Sequence, residues 1–350
     1  MSRVLAVRLD NAGDVLVTGP AIRAMAHGSD AVDVLAGPRG RGAAELLPGV
    51  DRVLCWRCPW IDAEPPSVDS AEVGRLVERL ASGGYSGALV FTSFHQSPLP
   101  TALLLRLAGV PWVGAISVDY PGSLLDLRHR LPDDLPEPER ALSLARTAGF
   151  SLPSGDAGGL QVRGPLPDVS ARVPAAPYVV LHPGTSVPAR AWPVERFAET
   201  AGLLGNRNVP LVVTGGPGEE SLTAAVSAAA PAVDLGGRTT LPELAAVLAG
   251  AAVVVVGNTG PAHLAAAVGT PVVSLFAPTV PAVRWAPYQV PRVLLGDQQA
   301  VCRDSRVTRC PYPGHPCLSG VSAEEVVAAI EHVAGDRLAA SRPISQEMSR

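Results

Sequence analysis

Three short runs in this 350-residue chain combine residue types that could do chemistry. In the first, a run of valines breaks into Gly257-Asn258-Thr259-Gly260-Pro261 and continues through His263 into an alanine-rich helix. Pro261 fits the first turn of a helix, whose free N–H groups form an anion site. His263 lies one turn in and can point back to the same place, so contact with a bound ligand is the preferred reading over a purely structural histidine. In the second, Gly184, Thr185 and Ser186 are small donors with Arg190 beside them. Such a set suits a phosphate, because charge-assisted bonds to phosphate are strong and directional; an ordinary loop with a solvated arginine is the alternative. In the third, Gly13 lets the backbone come close to a ligand, and Asp14 follows it at a helix start. Asp14 is either an N-cap for free backbone N–H groups or a general base.

These runs must be held by something, and the rest of the chain says what. Short buried strands ("RVLAVRL", "AVDVLAG", "GALVFTSF", "PWVGAIS") alternate with helical spacing ("AEVGRLVERLAS", "LPTALLLRLAG"). This βαβ alternation implies a parallel sheet covered on both faces. A kink or restart is expected at Pro20 in the first helix. Around residues 151–177 the period fails in a Gly-, Pro- and Ser-rich stretch, the best linker candidate. The alternation then resumes through "YVVLHPG", "VPLVVTGG", "AVDLGG", "AAVVVVGN" and "PVVSLFAP", and closes with the helix "SAEEVVAAIEHVAG". The expected organisation is an N-terminal domain over 1–160, a C-terminal domain over 175–335, and a disordered tail over 336–350. Trp192 is read as core.

Composition narrows the classes. Length favours two domains, and 47% hydrophobic with 17% charged residues describes a globular core. A net charge of -4 gives no electrostatic case for nucleic acid. All 28 basic residues are arginine, which points to a GC-rich genome. The N-terminus is too soon polar for a signal peptide, and no apolar run is long enough to span a membrane. A cytoplasmic protein is expected. The cysteines, Cys55, Cys58, Cys302, Cys310 and Cys317, are odd in number and lack paired zinc spacing, so neither a disulfide framework nor a metal is expected. Gly215-Gly216 and the run Ala36–Gly42 both lack the G-x-G-x-x-G pattern of a nicotinamide dehydrogenase.

"RVLAVRLDNAGDVLVTGPAIRAM" resembles the amino-terminal signature of glycosyltransferase family 9, the ADP-heptose heptosyltransferases. "LHPGTSVPARAWPVERF" and "GNTGPAHLAAAVGTPVVSLFAPT" resemble its two carboxy-terminal signatures, and the similarity runs in order to about residue 333. The resemblance implies a GT-B fold, two Rossmann-like domains facing across a cleft, with the donor mainly on the second. It implies inverting transfer of a sugar, a heptose, from an ADP-sugar, with no cofactor and no metal bridge. The catalytic carboxylate matches Asp14. The phosphate-binding hydroxyl and cation match Thr185 and Arg190, and the donor-holding turn matches Thr259, Gly260 and His263. Glu219 is expected near the ribose, and Thr239, Thr240 and Leu241 by the base. Two departures from the family stand out: Asn258 replaces a common Asp, and Arg190 a common Lys. The partners implied are an ADP-sugar and a glycan, lipid-linked or small-molecule acceptor, with peripheral membrane association left open. The rival readings are a sugar-nucleotide epimerase on the same architecture and a catalytically inactive homologue that binds glycans or a partner protein.

Overall fold

The computed structural model describes residues 2–62, 64–131, 135–175 and 177–339. The chain divides into two compact units, Met1–Gly164 and Pro165–Arg350. The first contains β1 (Arg3–Arg8), α1 (Ala12–His27), β2 (Ala31–Ala36), α2 (Arg41–Leu46), β3 (Arg52–Cys55), α3 (Ser70–Ala81), β4 (Gly87–Val90), α4 (Leu99–Leu107), β5 (Val113–Ile116), β6 (Leu127–His129) and α5 (Glu137–Thr147). Its sheet is all parallel, in the order β3-β2-β1-β4-β5-β6. The second contains β7 (Tyr178–His182), α6 (Val194–Gly205), β8 (Leu211–Gly215), α7 (Glu220–Ser227), β9 (Val233–Gly236), α8 (Leu241–Gly250), β10 (Ala251–Gly257), α9 (Gly260–Ala267), β11 (Val272–Leu275), α10 (Ala282–Trp285), β12 (Arg292–Leu295), α11 (Pro316–Ser319) and α12 (Ala323–Ala339). Its sheet, also all parallel, has the order β12-β11-β10-β7-β8-β9.

Each order has the same consequence. The chain lays down three strands in one direction and then returns to the other side of the first. The reversal falls between β1 and β4 in the first unit and between β7 and β10 in the second. In open parallel sheets ligands bind beyond the carboxyl ends of the strands at that reversal, because the loops on either side diverge there. The central strands are hydrophobic on both faces, as helices on both sides require. All seven residues of β10 are buried.

Several local expectations are revised. Helix α1 runs unbroken through Pro20, so there is no restart. The segment after α5 has no strand or α-helix, yet its part up to Gly164 is bound to the first unit. Arg23 of α1 grips Asp156 with two hydrogen bonds (2.7 and 2.9 Å), and Arg163 donates to the carbonyls of Leu47 and Val50. The expected tail from Asp336 is helical to Ala339; its remainder lies outside the described residues. Strands β3, β6 and β12 are three or four residues long at or near sheet edges, too short to show a period. Trp192 is core: it stacks edge-on to Phe197 and its indole N–H donates to the Val321 carbonyl.

Candidate functional site

In the first unit, β1 ends at Arg8 and α1 begins four residues later. The turn is closed by Asn11, the N-cap, in extended backbone (φ -83°, ψ 173°). Asp14 is therefore not the cap but the third helical residue. Its Oδ2 accepts from the Asn11 N–H at 3.2 Å, the reciprocal arm of a capping box. Its Oδ1 accepts from Arg8 Nη2 at 3.0 Å. The side chain keeps 16% exposure, whereas Arg8 keeps 2%. Gly13, buried, is the second helical residue.

Pairing of β1 with β4 brings Ser93 and Gln96 to the same place. Ser93 Oγ accepts from Arg8 Nη2 at 3.0 Å, and Gln96 Nε2 donates to Asp10 Oδ1 at 2.9 Å. Asp10 Oδ2 lies 2.9 Å from Arg8 Nη2 and accepts from Ser93 Oγ at 3.1 Å. Burial pushes the Asp10 carboxyl up, with Arg8 opposing and Asp14 adding to the shift. Burial also disfavours the charge on Arg8, but Asp10, Asp14 and Glu137 more than offset it, so the guanidinium is held protonated. Arg8, Asp10, Ser93 and Gln96 were not singled out in the sequence. The available signal was an arginine ending a buried strand, which is costly unless a carboxylate meets it. Gly37 and Gly40 press the loop after β2 onto this turn: a Cβ on Gly37 would sit 2.3 Å from Leu9 O, and one on Gly40 2.8 Å from Asp10 O.

In the second unit, the loops after β7 and β10 meet at the sheet reversal. Arg190 Nη1 donates to the Asn258 carbonyl at 3.3 Å. Thr259 caps α9, and Gly260 and Pro261 form its first turn. His263, one turn in, is buried, and its Nδ1 has no hydrogen-bond partner among the described residues. Burial, with Arg190 nearby, lowers its pKa to about 4, so the ring is neutral at pH 7. The Thr259 hydroxyl, on the same turn, also lacks a partner among the described residues. Buried polar atoms without a partner are uncommon, and two of them share this one helix start. Thr185 Oγ1 accepts from the Val187 N–H at 3.2 Å, tightening its own turn, and Ser186 is exposed.

Gly184 touches the Glu219 carboxylate: a Cβ there would lie 1.9 Å from Oε2. That oxygen accepts from the Gly216 N–H at 2.7 Å. His182 Nε2 is 4.0 Å away, but burial lowers its pKa to about 4, so this contact is not an ion pair at neutral pH. Two of the residues expected to contact the donor also make bonds within the protein. Asn258 Nδ2 donates to Ala277 O and its Oδ1 accepts from Ala277 N, each at 3.3 Å, which straps β10 to β11 beyond the last ladder bond. Thr240 is the N-cap of α8 in a capping box with Glu243, which also pairs with Arg172 at 3.0 Å. Thr239 precedes that cap and Leu241 is the first helical residue; both lie at the end of the edge strand β9, away from the reversal.

All five cysteines are free, and among the described residues no three His, Cys, Asp or Glu side chains could hold a metal. No described helix is long and apolar enough to cross a membrane.

Two parallel sheets of this topology, each with polar loops at its reversal, define an α/β protein with Rossmann-like sheets. The family model for glycosyltransferase family 9 (heptosyltransferase) matches residues 74–315, and the chain belongs to that family. It is 29% identical over 299 residues to lipopolysaccharide heptosyltransferase 1 of Salmonella typhimurium, covering 80% of this chain and 89% of that one. A family 9 glycosyltransferase from Veillonella parvula superposes with a TM-score of 0.78 at 18% identity, covering 96% of this chain and 98% of the other. The E. coli heptosyltransferase WaaC with ADP superposes with a TM-score of 0.69 at 23% identity, covering 95% and 100%. The fold is thus of the GT-B type, and the protein is a glycosyltransferase.

Proposed function

We propose that this enzyme transfers a sugar, a heptose, from an ADP-sugar to an acceptor hydroxyl with inversion, the second unit holding the donor and the first supplying Asp14 as general base. The observation that carries the reading is the state of the Asp14 carboxylate. It is held from two sides, by Arg8 Nη2 and the Asn11 N–H, yet it keeps 16% exposure at the reversal of its sheet. A fixed and accessible carboxylate is what proton abstraction from a hydroxyl needs.

In this reading the donor diphosphate lies at the start of α9. Its N–H groups and Arg190 stabilise the charge that grows on the leaving group, so no metal bridge is required. His263 contributes a neutral imidazole, a hydrogen-bonding group and not a second cation. The sugar passes through an oxocarbenium-like state, as in related glycoside chemistry. In the same reading Glu219, which lies beside Gly184 and Gly216, takes the ribose. The acceptor class is an envelope glycan, a lipid-linked saccharide or a small molecule, and the site of action is the cytoplasm.

The test is incubation of the purified protein with ADP-heptose and with UDP-sugars, in the presence of candidate acceptors. Glycosylated acceptor with release of ADP is the expected result, and Asp14→Asn should abolish most of it. An altered sugar nucleotide would make the protein an epimerase. Binding without turnover in any combination would make it an inactive homologue.

A further inference from the structure

We propose that Asp10 sets the basicity of Asp14 by competing with it for one nitrogen of Arg8, so that the two carboxylates act as a single coupled unit. The inference rests on the reading of Asp14 as the base.

Arg8 Nη2 carries two hydrogens and has three oxygens around it: Asp10 Oδ2 at 2.9 Å, Asp14 Oδ1 at 3.0 Å and Ser93 Oγ at 3.0 Å. It cannot serve all three fully. Ser93 Oγ has one proton and stands between the same two oxygens, 3.1 Å from Asp10 Oδ2 and 3.4 Å from Asp14 Oδ1. Each carboxylate therefore loses what the other gains. An Asp paired alone with a buried arginine is firmly ionised and a poor base, because the cation favours the charged form. A second carboxylate on the same cation raises the proton affinity of the first, since two like charges share one neutralising charge.

The placement of the pair fits a division of roles. Asp10 keeps 6% exposure and is further tied by Gln96, so it stays in place as fixed charge. Asp14 is the one that a substrate can reach. The other charges packed around them come from α5. Glu137 acts on Arg8, and Arg140 lies 3.5 Å from Glu137 and donates to the Thr92 carbonyl, a pair of opposite sign that leaves the balance to Asp10. The Cys58 thiol feels the Asp10 charge, but burial above all pushes it up to about 12, so it is neutral. Ser93 and Gln96 carry no charge.

The test is a carboxyl titration by 13C NMR of aspartate-labelled protein, with the resonances of Asp10 and Asp14 assigned by their loss in Asp10→Asn and Asp14→Asn. The expected result is that the Asp14 resonance titrates at lower pH in Asp10→Asn than in the wild type, and the Asp10 resonance at lower pH in Asp14→Asn. Asp10→Ser, which removes the charge with a different shape, should move Asp14 the same way; thermal melts and ADP titration confirm that each variant is folded. With a turnover assay in hand, the acidic limb of the pH–rate profile should move down with the resonance while KM for donor stays constant, which a merely structural Asp10 would not produce. An Asp14 titration unchanged in both Asp10 variants would overturn the proposal. Should either fail to fold, the reciprocal shift of Asp10 in Asp14→Asn decides. Coupled titrations with normal turnover of Asp14→Asn would leave the coupling intact and remove Asp14 as the base.

Discussion

Replacing Asn258 by Asp exchanges one N–H donor for an oxygen, and the structure says what that costs. Both polar atoms of the Asn258 side chain are used on the Ala277 backbone at 3.3 Å, in a residue 5% exposed. In Asn258→Asp one oxygen keeps the Ala277 N–H, while the other faces the Ala277 carbonyl. The lost bond is worth about 1 kcal/mol, and the buried charge adds a similar amount after allowance for Arg190, whose Nη1 lies 3.3 Å from the carbonyl of the same residue. The expected destabilisation is thus about 2 kcal/mol at pH 8. A protonated Asp would carry an O–H able to donate to Ala277 O, so the penalty belongs to the charged form. A penalty of about 2 kcal/mol corresponds to a folded-state pKa raised about 1.5 units above the unfolded value near 3.9. The folded state then binds more protons than the unfolded state over that window, so stability falls as pH rises through it and is level above it. Urea unfolding of variant and wild type should differ by about 1 kcal/mol at pH 4.5 and by about 2 kcal/mol at pH 8. An equal difference at the two pH values, or none, would refute the strap. If instead stability is untouched and the rate ratios across a panel of ADP-sugars change, Asn258 is a donor contact and its bond to Ala277 is incidental.

Three further outcomes follow from the sites. Asp14→Asn should lower turnover by roughly 10²–10⁴-fold at saturating donor and acceptor, with ADP binding retained; it should also cost about 1 kcal/mol in a melt, because an amide cannot accept from both Arg8 and the Asn11 N–H. Retention of most of the wild-type rate means that the base is another residue. Arg190→Ala should weaken ADP by about 1.5–3 kcal/mol in titration calorimetry while the fold survives, and an unchanged affinity removes Arg190 from the donor site. Gly184→Ala should push the Glu219 carboxylate off the Gly216 N–H, costing about 1 kcal/mol of stability, and should weaken ADP more than inorganic pyrophosphate; equal losses for the two ligands would separate Glu219 from the ribose.

The sequence by itself determined what local chemistry determines. Buried runs of valine such as β10 can only be strands covered on both faces, and the polar breaks after them at Gly184, Asn258 and Gly13 mark the loops where a ligand would bind. The family was legible in motifs, and the two carboxy-terminal ones lie inside the family match over residues 74–315. Motif order did not determine which side chains meet, because that depends on strand order. Arg8 and Ser93 are 85 residues apart and touch only because β4 returns to the side of β1. Asn258 has the residue type and position of a ligand contact, and the parallel pairing of β10 with β11 also brings the Ala277 backbone within reach of its Oδ1 and Nδ2. Asp14 stands at a helix start as read, but the turn geometry makes Asn11 the cap and frees Asp14 to face Arg8. The helix across Pro20 is the same lesson on the backbone: one lost hydrogen bond weakens a helix locally, and burial of almost all of α1 from Gly13 to Met25 outweighs it. Periods and caps are properties of neighbouring residues. The partners of a buried charge are chosen by the sheet.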